Sequence, residues 1–524
     1  MSSIKFSNRT AALCWQYLSE LVPLVAAAGI PALIFFWNVG FFPSFALDEG
    51  VHITDALTFK RTGQLVKDTA IPYGHPFMGW AILGLFFYIV GFPERFHGGT
   101  LEARDVPCMY LVPRIAMSLL ATTNAFLACL IARRHHGNRW VGPIAAIMSS
   151  LSIYSFYFRA VFLDSIMSTL VLAAILAVGS KKERLIASGA LLGAAVLTKL
   201  PAIFFLPPLI FQVWKGDEKN FRSRLVAFLL PLAAIVCVWP SYALLHDELH
   251  LLVSAQLWQA FGRLKVGLFS PVPSAMITVL QRDVVILLGL IGSVHCFVQK
   301  SYVEPLSVGT FISSFFILNL SFADYYIFPL VPILSVAAAR LVRDLGGVFQ
   351  KTLTALSRKT PWHVSWRLPN FLPWVLLTIL SVGPVRLIVS DDSARSQIAA
   401  VSYIVENAQK GSTVVCNPVY SWVIKERRDL AVYQFVNVPA NVLNVSDRIY
   451  LVVDIEYLSS MDVRSGFPAS STLFQLYQVS EPGPTFSSSW RFIEVRVVHV
   501  HRTPQLGESF YENKSLQQLG YKVV

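Results

Sequence analysis

Residues 42–50 read Phe-Pro-Ser-Phe-Ala-Leu-Asp-Glu-Gly. The run before them, 21–42, is apolar and long enough to cross a bilayer, which takes about 20 consecutive apolar residues. Asp48 and Glu49 therefore stand side by side where a membrane-buried segment opens onto water. A carboxylate pair after a helix is usually only a solvated loop, so its meaning depends on what else the chain brings to the same face.

The composition agrees with a membrane setting. The 524 residues are 54% hydrophobic and 14% charged, against roughly 25% charged in a soluble chain, and the mean hydropathy is +0.55. Apolar runs recur through the first three quarters, which predicts a mainly α, polytopic helical bundle. The net charge of +12 falls mostly in short loops between these runs, the bias of cytoplasmic loops, and implies no nucleic-acid partner. Cys14, Cys108, Cys129, Cys237, Cys296 and Cys416 show neither a disulfide framework nor a CxxC metal spacing. The first apolar run is too long for a signal h-region and no small-residue cleavage site follows it, so it is expected to remain as a span.

Loop charge then orients the chain. Lys5 and Arg9 precede the first span, which places the N-terminus in the cytoplasm and Asp48 outside. Run 76–91 is short for a span. Laying it at the interface keeps the basic cluster at 133–139 inside. Residues 141–180 are apolar except for Arg159 and Asp164 in the middle and are basic at both ends, which predicts a hairpin with those two at its outer tip. Residues 185–214 repeat the pattern with Thr198-Lys199-Leu200-Pro201 in the middle, where Pro201 can break the helix. Further spans are expected at 225–245, 284–298, 303–320, 327–339 and 368–389, giving about eleven by the hydrophobic-thickness rule. Between them lie an outer loop at 246–283 carrying His246, an outer tip at 321–326 carrying Asp324 and Tyr325, and a basic inner segment at 340–367.

After residue 390 the composition becomes that of a soluble domain. A helix is expected at 396–409 and strands at 412–416, 449–453, 472–479 and 490–501, which are rich in β-branched and aromatic residues. The expected organisation is a transmembrane part at 1–390, with a long first extracytoplasmic loop at about 43–111, and an extracytoplasmic α/β domain at 391–524.

This topology gathers Asp48, Glu49, His75, Arg159, Asp164, Lys199 and Asp324 at one membrane face. Each has a bland reading: Arg159 and Asp164 can pair to cap a hairpin, Lys199 can snorkel, and His75 can simply begin the interfacial helix. Ionisable residues inside apolar stretches are costly, however, and point to function. Cations at the interface suit a phosphate whose lipid tail lies in the bilayer, with Lys199, Arg159 and His75 as candidates. A carboxylate nearby suits proton removal from an attacking hydroxyl, with Asp48 as the candidate and Asp164 orienting the acceptor or tuning Asp48. No GxxxxGK[ST] loop is present, since 193–199 lacks the second Gly, so ATP-driven chemistry has no support.

Asp48-Glu49 after the first helix, His75-Pro76, the stretch from Arg159 to Asp164, Leu197-Thr198-Lys199, and Tyr325-Tyr326-Ile327-Phe328-Pro329-Leu330-Val331-Pro332 occur in that order. In this they resemble the polyprenyl-phosphate-sugar-dependent glycosyltransferases of the GT-C fold, in particular the protein O-mannosyltransferase and aminoarabinose (lipid A) transferase group. The resemblance runs from about residue 21 to 340. It implies transfer of a sugar from a polyprenyl monophosphate carrier to an acceptor hydroxyl at the outer membrane face, normally with inversion. It makes Asp48 the essential first-loop carboxylate, with Glu49 beside it, Asp164 the second carboxylate, and Lys199 the lysine near the lipid phosphate. Asp324, Tyr325 and His246 are expected on the acceptor side. The lipid A branch carries an acidic residue and a lysine before a proline pair, where this chain has Gly74, His75, Pro76 and Phe77. That departure argues against an aminoarabinose transferase and against that branch's zinc site. No cofactor is expected, with a divalent metal at His75 or His246 left open. The expected partners are a polyprenyl-phosphate-linked sugar, membrane lipid, and a protein, lipid or polysaccharide acceptor, in a bacterial inner membrane by default, with an archaeal membrane or a eukaryotic ER as alternatives. The competing class is a lipid-linked sugar flippase or transporter, which would want charges at the bilayer midplane and repeated halves. Here the charges sit at helix ends and no repeat is visible.

Overall fold

In the computed structural model the chain is described over residues 8–65, 73–257, 272–317, 324–357, 372–435, 438, 442, 448–454, 476–477, 479–488 and 491–499. The helices run α1 (Asn8–Phe36), α2 (Leu47–Thr62), α3 (Met78–Val90), α4 (Glu94–His97), α5 (Val106–His136), α6 (Val141–Leu151), α7 (Leu163–Ala177) and α8 (Lys182–Thr198). They continue as α9 (Leu206–Gly216), α10 (Phe221–Val236), α11 (Val238–Leu245), α12 (Leu249–Leu257), α13 (Val272–Arg282), α14 (Val284–Val298) and α15 (Val303–Ile317). The last are α16 (Val331–Ser357), α17 (Leu372–Ser390), α18 (Arg395–Asn407) and α19 (Pro418–Ile424). The chain divides into two compact units, one of Met1–Val39, Asp55–Val90 and Val112–Asp391, the other of Gly40–Thr54, Gly91–Leu111 and Asp392–Val524.

The first unit is helical, and its apolar runs are interrupted at defined points. Among the described residues, four helical segments, Ala103–His136, Phe221–Leu245, Tyr326–Thr352 and Pro373–Asn407, are long and apolar enough to cross a membrane, and counting two bent pairs as single spans gives six. In the bent pairs α6 meets the 3-10 turn Ile153–Arg159 at 79°, and α13 meets α14 at 108°. A break inside an apolar segment exposes backbone groups that lipid cannot satisfy. The buried Asp283 satisfies several of them. Its Oδ1 accepts the Val285 and Ile286 amides at the start of α14, at 2.9 and 3.1 Å. Its Oδ2 accepts the Ser152 hydroxyl at 2.6 Å and the Tyr154 amide at 3.4 Å, at the bend after α6. One carboxylate thus pins both bends.

Small residues let helices approach closely. A Cβ on Gly189 of α8 would lie 1.9 Å from Phe228 O, and one on Gly193 would lie 3.0 Å from Ile235 Cβ, so α8 and α10 meet backbone to backbone along a GxxxG face. At the end of α1, Asn38 adopts a left-handed φ of 55°. Its amide donates to Ile388 O and Asp391 O at 2.9 and 2.7 Å, capping α17.

The second unit holds a five-stranded sheet in the order β2-β1-β3-β5-β4, with β1 (Thr413–Cys416), β2 (Ala431–Gln434), β3 (Arg448–Asp454), β4 (Glu481–Ser487) and β5 (Phe492–His499). β1 runs parallel to β2 and β3, pairing Thr413 with Ala431 and with Ile449, while β5 runs antiparallel to β3 and β4. Val415, Phe435, Ile449, Leu451, Val453 and Val498 form its core. Residues 472–475 and 478 of the strand expected at 472–479 lie outside the described residues, and the described part is corrected. Leu476, Tyr477 and Val479 are helical there, and the strand is β4, further along. β4 contains Pro482 and Pro484, which count against a strand in sequence but suit an edge strand with an irregular register between Pro482 and Thr485.

Two pieces of the first loop pack into this second unit. Phe45 stacks on Tyr110 at 4.1 Å, and Trp422 of α19 meets Tyr110 edge-on at 5.4 Å and Phe92 at 6.2 Å. The Tyr110 hydroxyl donates to Val419 O at 2.8 Å.

Candidate functional site

The residues singled out by sequence fall into the two units, and each set has its own construction. In the first unit, Asp164 lies in the first turn of α7 and Lys199 ends α8. Lys199 has an extended backbone (φ −158°, ψ 127°), and Pro201 follows at the start of the 3-10 turn Leu200–Phe205. Proline cannot continue the helix, and the break turns the lysine toward α7. Its Nζ donates to Asp164 Oδ2 at 2.5 Å and lies 5.6 Å from the centre of the Tyr326 ring. The Asp164 side chain is 8% exposed and that of Lys199 is 19% exposed, so the pair is largely shielded with its cation partly open. A half-shielded ammonium held by one carboxylate keeps donors for a second anion.

Other tips gather around this pair. The turn Ile153–Arg159 packs on the turn Asp324–Leu330, with Phe328 against Phe158 at 4.8 Å and Tyr157 at 6.2 Å. The N-terminal end of α3 fits closely against both residues flanking the pair: a Cβ on Gly79 would lie 2.7 Å from Leu163 Cδ2 and 3.0 Å from Thr198 Cγ2. His75 is half-buried in the turn before α3. Beside it, the buried Tyr73 donates its hydroxyl to Glu248 at 2.5 Å, and its carbonyl accepts from Gln256 at 2.7 Å. Burial first, and the Glu248 carboxylate second, push the Tyr73 phenol pKa up, so it keeps its proton.

Arg159 is fully buried, and one guanidinium nitrogen donates to Trp37 O at 2.5 Å, which ties the tip to the end of α1. His246 is exposed at the end of α11 and stacks on Tyr242 at 4.1 Å, with its Nδ1 2.9 Å from Tyr242 O. Asp324 and Tyr325 begin the 3-10 turn; their side chains lie outside the described residues.

In the second unit, Asp48 and Glu49 occupy the first turn of α2, where the helix dipole favours negative charge. They diverge sharply. Glu49 is 2% exposed, and its Oε1 accepts the Ala46 amide at 2.9 Å, closing the helix start. Asp48 is exposed. The loop before it is clamped from both sides by Gln397. Its Oε1 accepts Phe45 N–H at 2.6 Å, and its Nε2 donates to Phe45 O at 3.0 Å and to the Tyr420 hydroxyl at 3.3 Å. Tyr420 donates to Asp454 Oδ2 at 2.6 Å, and Arg491 Nε donates to the same oxygen at 2.8 Å. A Cβ on Gly50 would lie 2.2 Å from Pro418 O, so the helix start sits directly on the backbone of α19. Sequence reading did not find Gln397, Tyr420, Asp454, Arg491, Tyr73, Glu248 or Tyr326 as site-shaping residues. Only Tyr326 carried a signal, its place inside the quoted Tyr-Tyr-Ile-Phe-Pro string.

No protein-family model and no curated protein matches the sequence. Solved structures do match the fold. The crystal structure of ArnT from Cupriavidus metallidurans bound to undecaprenyl phosphate is 13% identical, covering 91% of this chain and 98% of that one with a TM-score of 0.53. The Archaeoglobus fulgidus oligosaccharyltransferase in complex with zinc and sulfate is 14% identical, covering 89% of this chain and 72% of that one with a TM-score of 0.51. The chain is an integral membrane protein with the GT-C fold of these glycosyltransferases.

Proposed function

We propose that this protein is a membrane glycosyltransferase that moves a sugar from a polyprenyl-phosphate carrier to an acceptor hydroxyl, with inversion, at the extracytoplasmic face. The observation that carries the reading is the Asp164–Lys199 pair, a partly open ammonium fixed at 2.5 Å by a shielded carboxylate where two helices break. A GT-C fold makes a lipid-linked phosphate the natural anion for it.

The acceptor oxygen attacks the anomeric carbon and its proton passes to Asp48, the exposed carboxylate at the start of α2. The bond from that carbon to phosphate oxygen breaks, and polyprenyl phosphate departs with the electron pair. Its charge is met by Lys199, already oriented before the reaction, with His75 as a second donor. Asp164 keeps the ammonium in place. Glu49 beside Asp48 stays on the catalytic side and Arg159 on the donor-phosphate side, while Glu49 also closes α2 and Arg159 also holds Trp37 O. Asp324, Tyr325 and His246 fall to the acceptor side, and the host is a bacterial inner membrane.

The test is transfer by the purified protein from a panel of radiolabelled polyprenyl-phosphate sugars, assayed together with translocation in sealed vesicles. A covalent glycosylated product supports the reading. Donor translocation with no covalent product from any acceptor replaces it with the flippase reading.

A further inference from the structure

Away from the residues assigned above, three helices bring metal-binding groups to one point. His136 ends α5, Cys296 lies near the end of α14, and Glu304 is in the first turn of α15. One donor atom from each lies within 4.8 Å of the others. The His136 and Glu304 side chains are each 1% exposed, with His136 Nε2 3.6 Å from Glu304 Oε1. Among the described residues neither ring nitrogen of His136 has a hydrogen-bond partner, although both are buried. A buried imidazole without partners is costly unless it has another use, and a metal ion is the natural one.

We propose that His136, Cys296 and Glu304 form a structural zinc site that staples the end of α5 to the α14–α15 turn.

The donor set decides the class of ion. One thiolate, one imidazole and one carboxylate suit a borderline-soft divalent ion such as Zn²⁺, whereas magnesium and calcium want oxygen donors. Charge decides the same way: Zn²⁺ with a thiolate, a carboxylate and a neutral imidazole sums to zero, the cheapest state to bury. The Cys296 thiol proton leaves to solvent on binding. Zinc at about 2.0–2.3 Å from each donor needs donor separations of roughly 3.5 Å, so donors within 4.8 Å of one another close by up to about 1.3 Å. Ser301 donates to Glu304 Oε2 at 3.1 Å, and His135 Nδ1 lies 2.6 Å from Glu304 Oε1. These hold the carboxylate in place, and water completes four ligands. Arg340 and Asp344 of α16 also face the cluster: Arg340 is hydrogen-bonded to Cys296, and Asp344 lies 3.7 Å from Arg340 Nε, 3.3 Å from Arg343 Nη1 and 2.9 Å from His295 Nε2, so the ion would displace Arg340 from the sulfur. The basic end of α5, with Arg133 and Arg134, is the end that loop charge assigns to the cytoplasm. Thiols stay reduced there.

The experiment uses the full chain in detergent with affinity tags removed, stripped by chelator and reloaded with Zn²⁺ or Co²⁺. The expected result is about one zinc per chain and, with cobalt, a thiolate-to-metal charge-transfer band. Cys296→Ser removes the band and Cys129→Ser keeps it, while His136→Ala and Glu304→Gln reduce stoichiometric zinc. The proposal is overturned if the wild type retains no stoichiometric metal, if cobalt gives no thiolate band, or if Cys296→Ser leaves the band unchanged. The wild-type measurements decide even if a variant fails to fold.

Discussion

Asp48 and Asp164 are both carboxylates in the first turn of a helix, and they are built for different work. Asp164 is shielded and bound to a lysine cation at 2.5 Å. Asp48 is exposed, and the protein spends its organisation on the loop before it, through Gln397 and the chain Tyr420–Asp454–Arg491. Asp164 is committed to its ammonium partner, whereas Asp48 faces solvent beside a clamped loop. In the proposed reaction the cation side belongs to Asp164 and Lys199 and the proton side to Asp48, and each role is open to test by itself.

The comparison can be broken at its cation side first. Lys199→Ala removes a charge-assisted contact worth about 1.5–3 kcal/mol, so the donor KM should rise about 10–100-fold. It also leaves Asp164 without its cation, so thermal stability should fall. The double change Asp164→Leu/Lys199→Met should recover stability, because replacing a buried pair together by apolar residues is often neutral, yet transfer should stay low. Recovery of transfer with stability would reduce the pair to a structural role.

A smaller effect is expected from Gln397→Met, which keeps the side-chain volume but leaves Phe45 N–H and O without their partners, a cost of about 1–3 kcal/mol. Steady-state kinetics should show a lower kcat with the donor KM nearly unchanged. A raised donor KM instead would mean that the loop serves the donor. Gly79→Val forces α3 off Leu163 and Thr198 and should cost about 1–3 kcal/mol, read as a lower unfolding temperature with the donor KM raised. The smallest effect belongs to Gly193→Ala, whose Cβ would meet Ile235 Cβ at 3.0 Å. It should lower stability by about 1 kcal/mol and leave both kinetic constants unchanged.

The breaks in the apolar runs were legible because proline and charge cannot hide in lipid-facing helix. Pro201 and Lys199 marked the end of α8, and Arg159 with Asp164 marked the tip before α7. The neighbours that give these residues their geometry were not legible. Gln397 is 352 residues from Phe45, and nothing in its local pattern separates it from any glutamine on a buried helix face. Asp283 reads as the last residue of a loop, and only the two bends meeting at it reveal the cap. The strand β4 was misplaced because its two prolines oppose the pairing pattern that propensity looks for. His136, Cys296 and Glu304 have no motif spacing, since each comes from a different helix.

The most direct measurement is single-turnover sugar transfer by the wild type, Asp48→Asn and Asp164→Asn, with donor binding measured on the same preparations. Asp48→Asn should bind donor as the wild type does and transfer about 10²–10⁴-fold more slowly, while Asp164→Asn should lose donor affinity and keep part of its rate once saturated. Equal transfer by Asp48→Asn and the wild type would contradict the assignment of the base, and with it the division of labour between the two carboxylates.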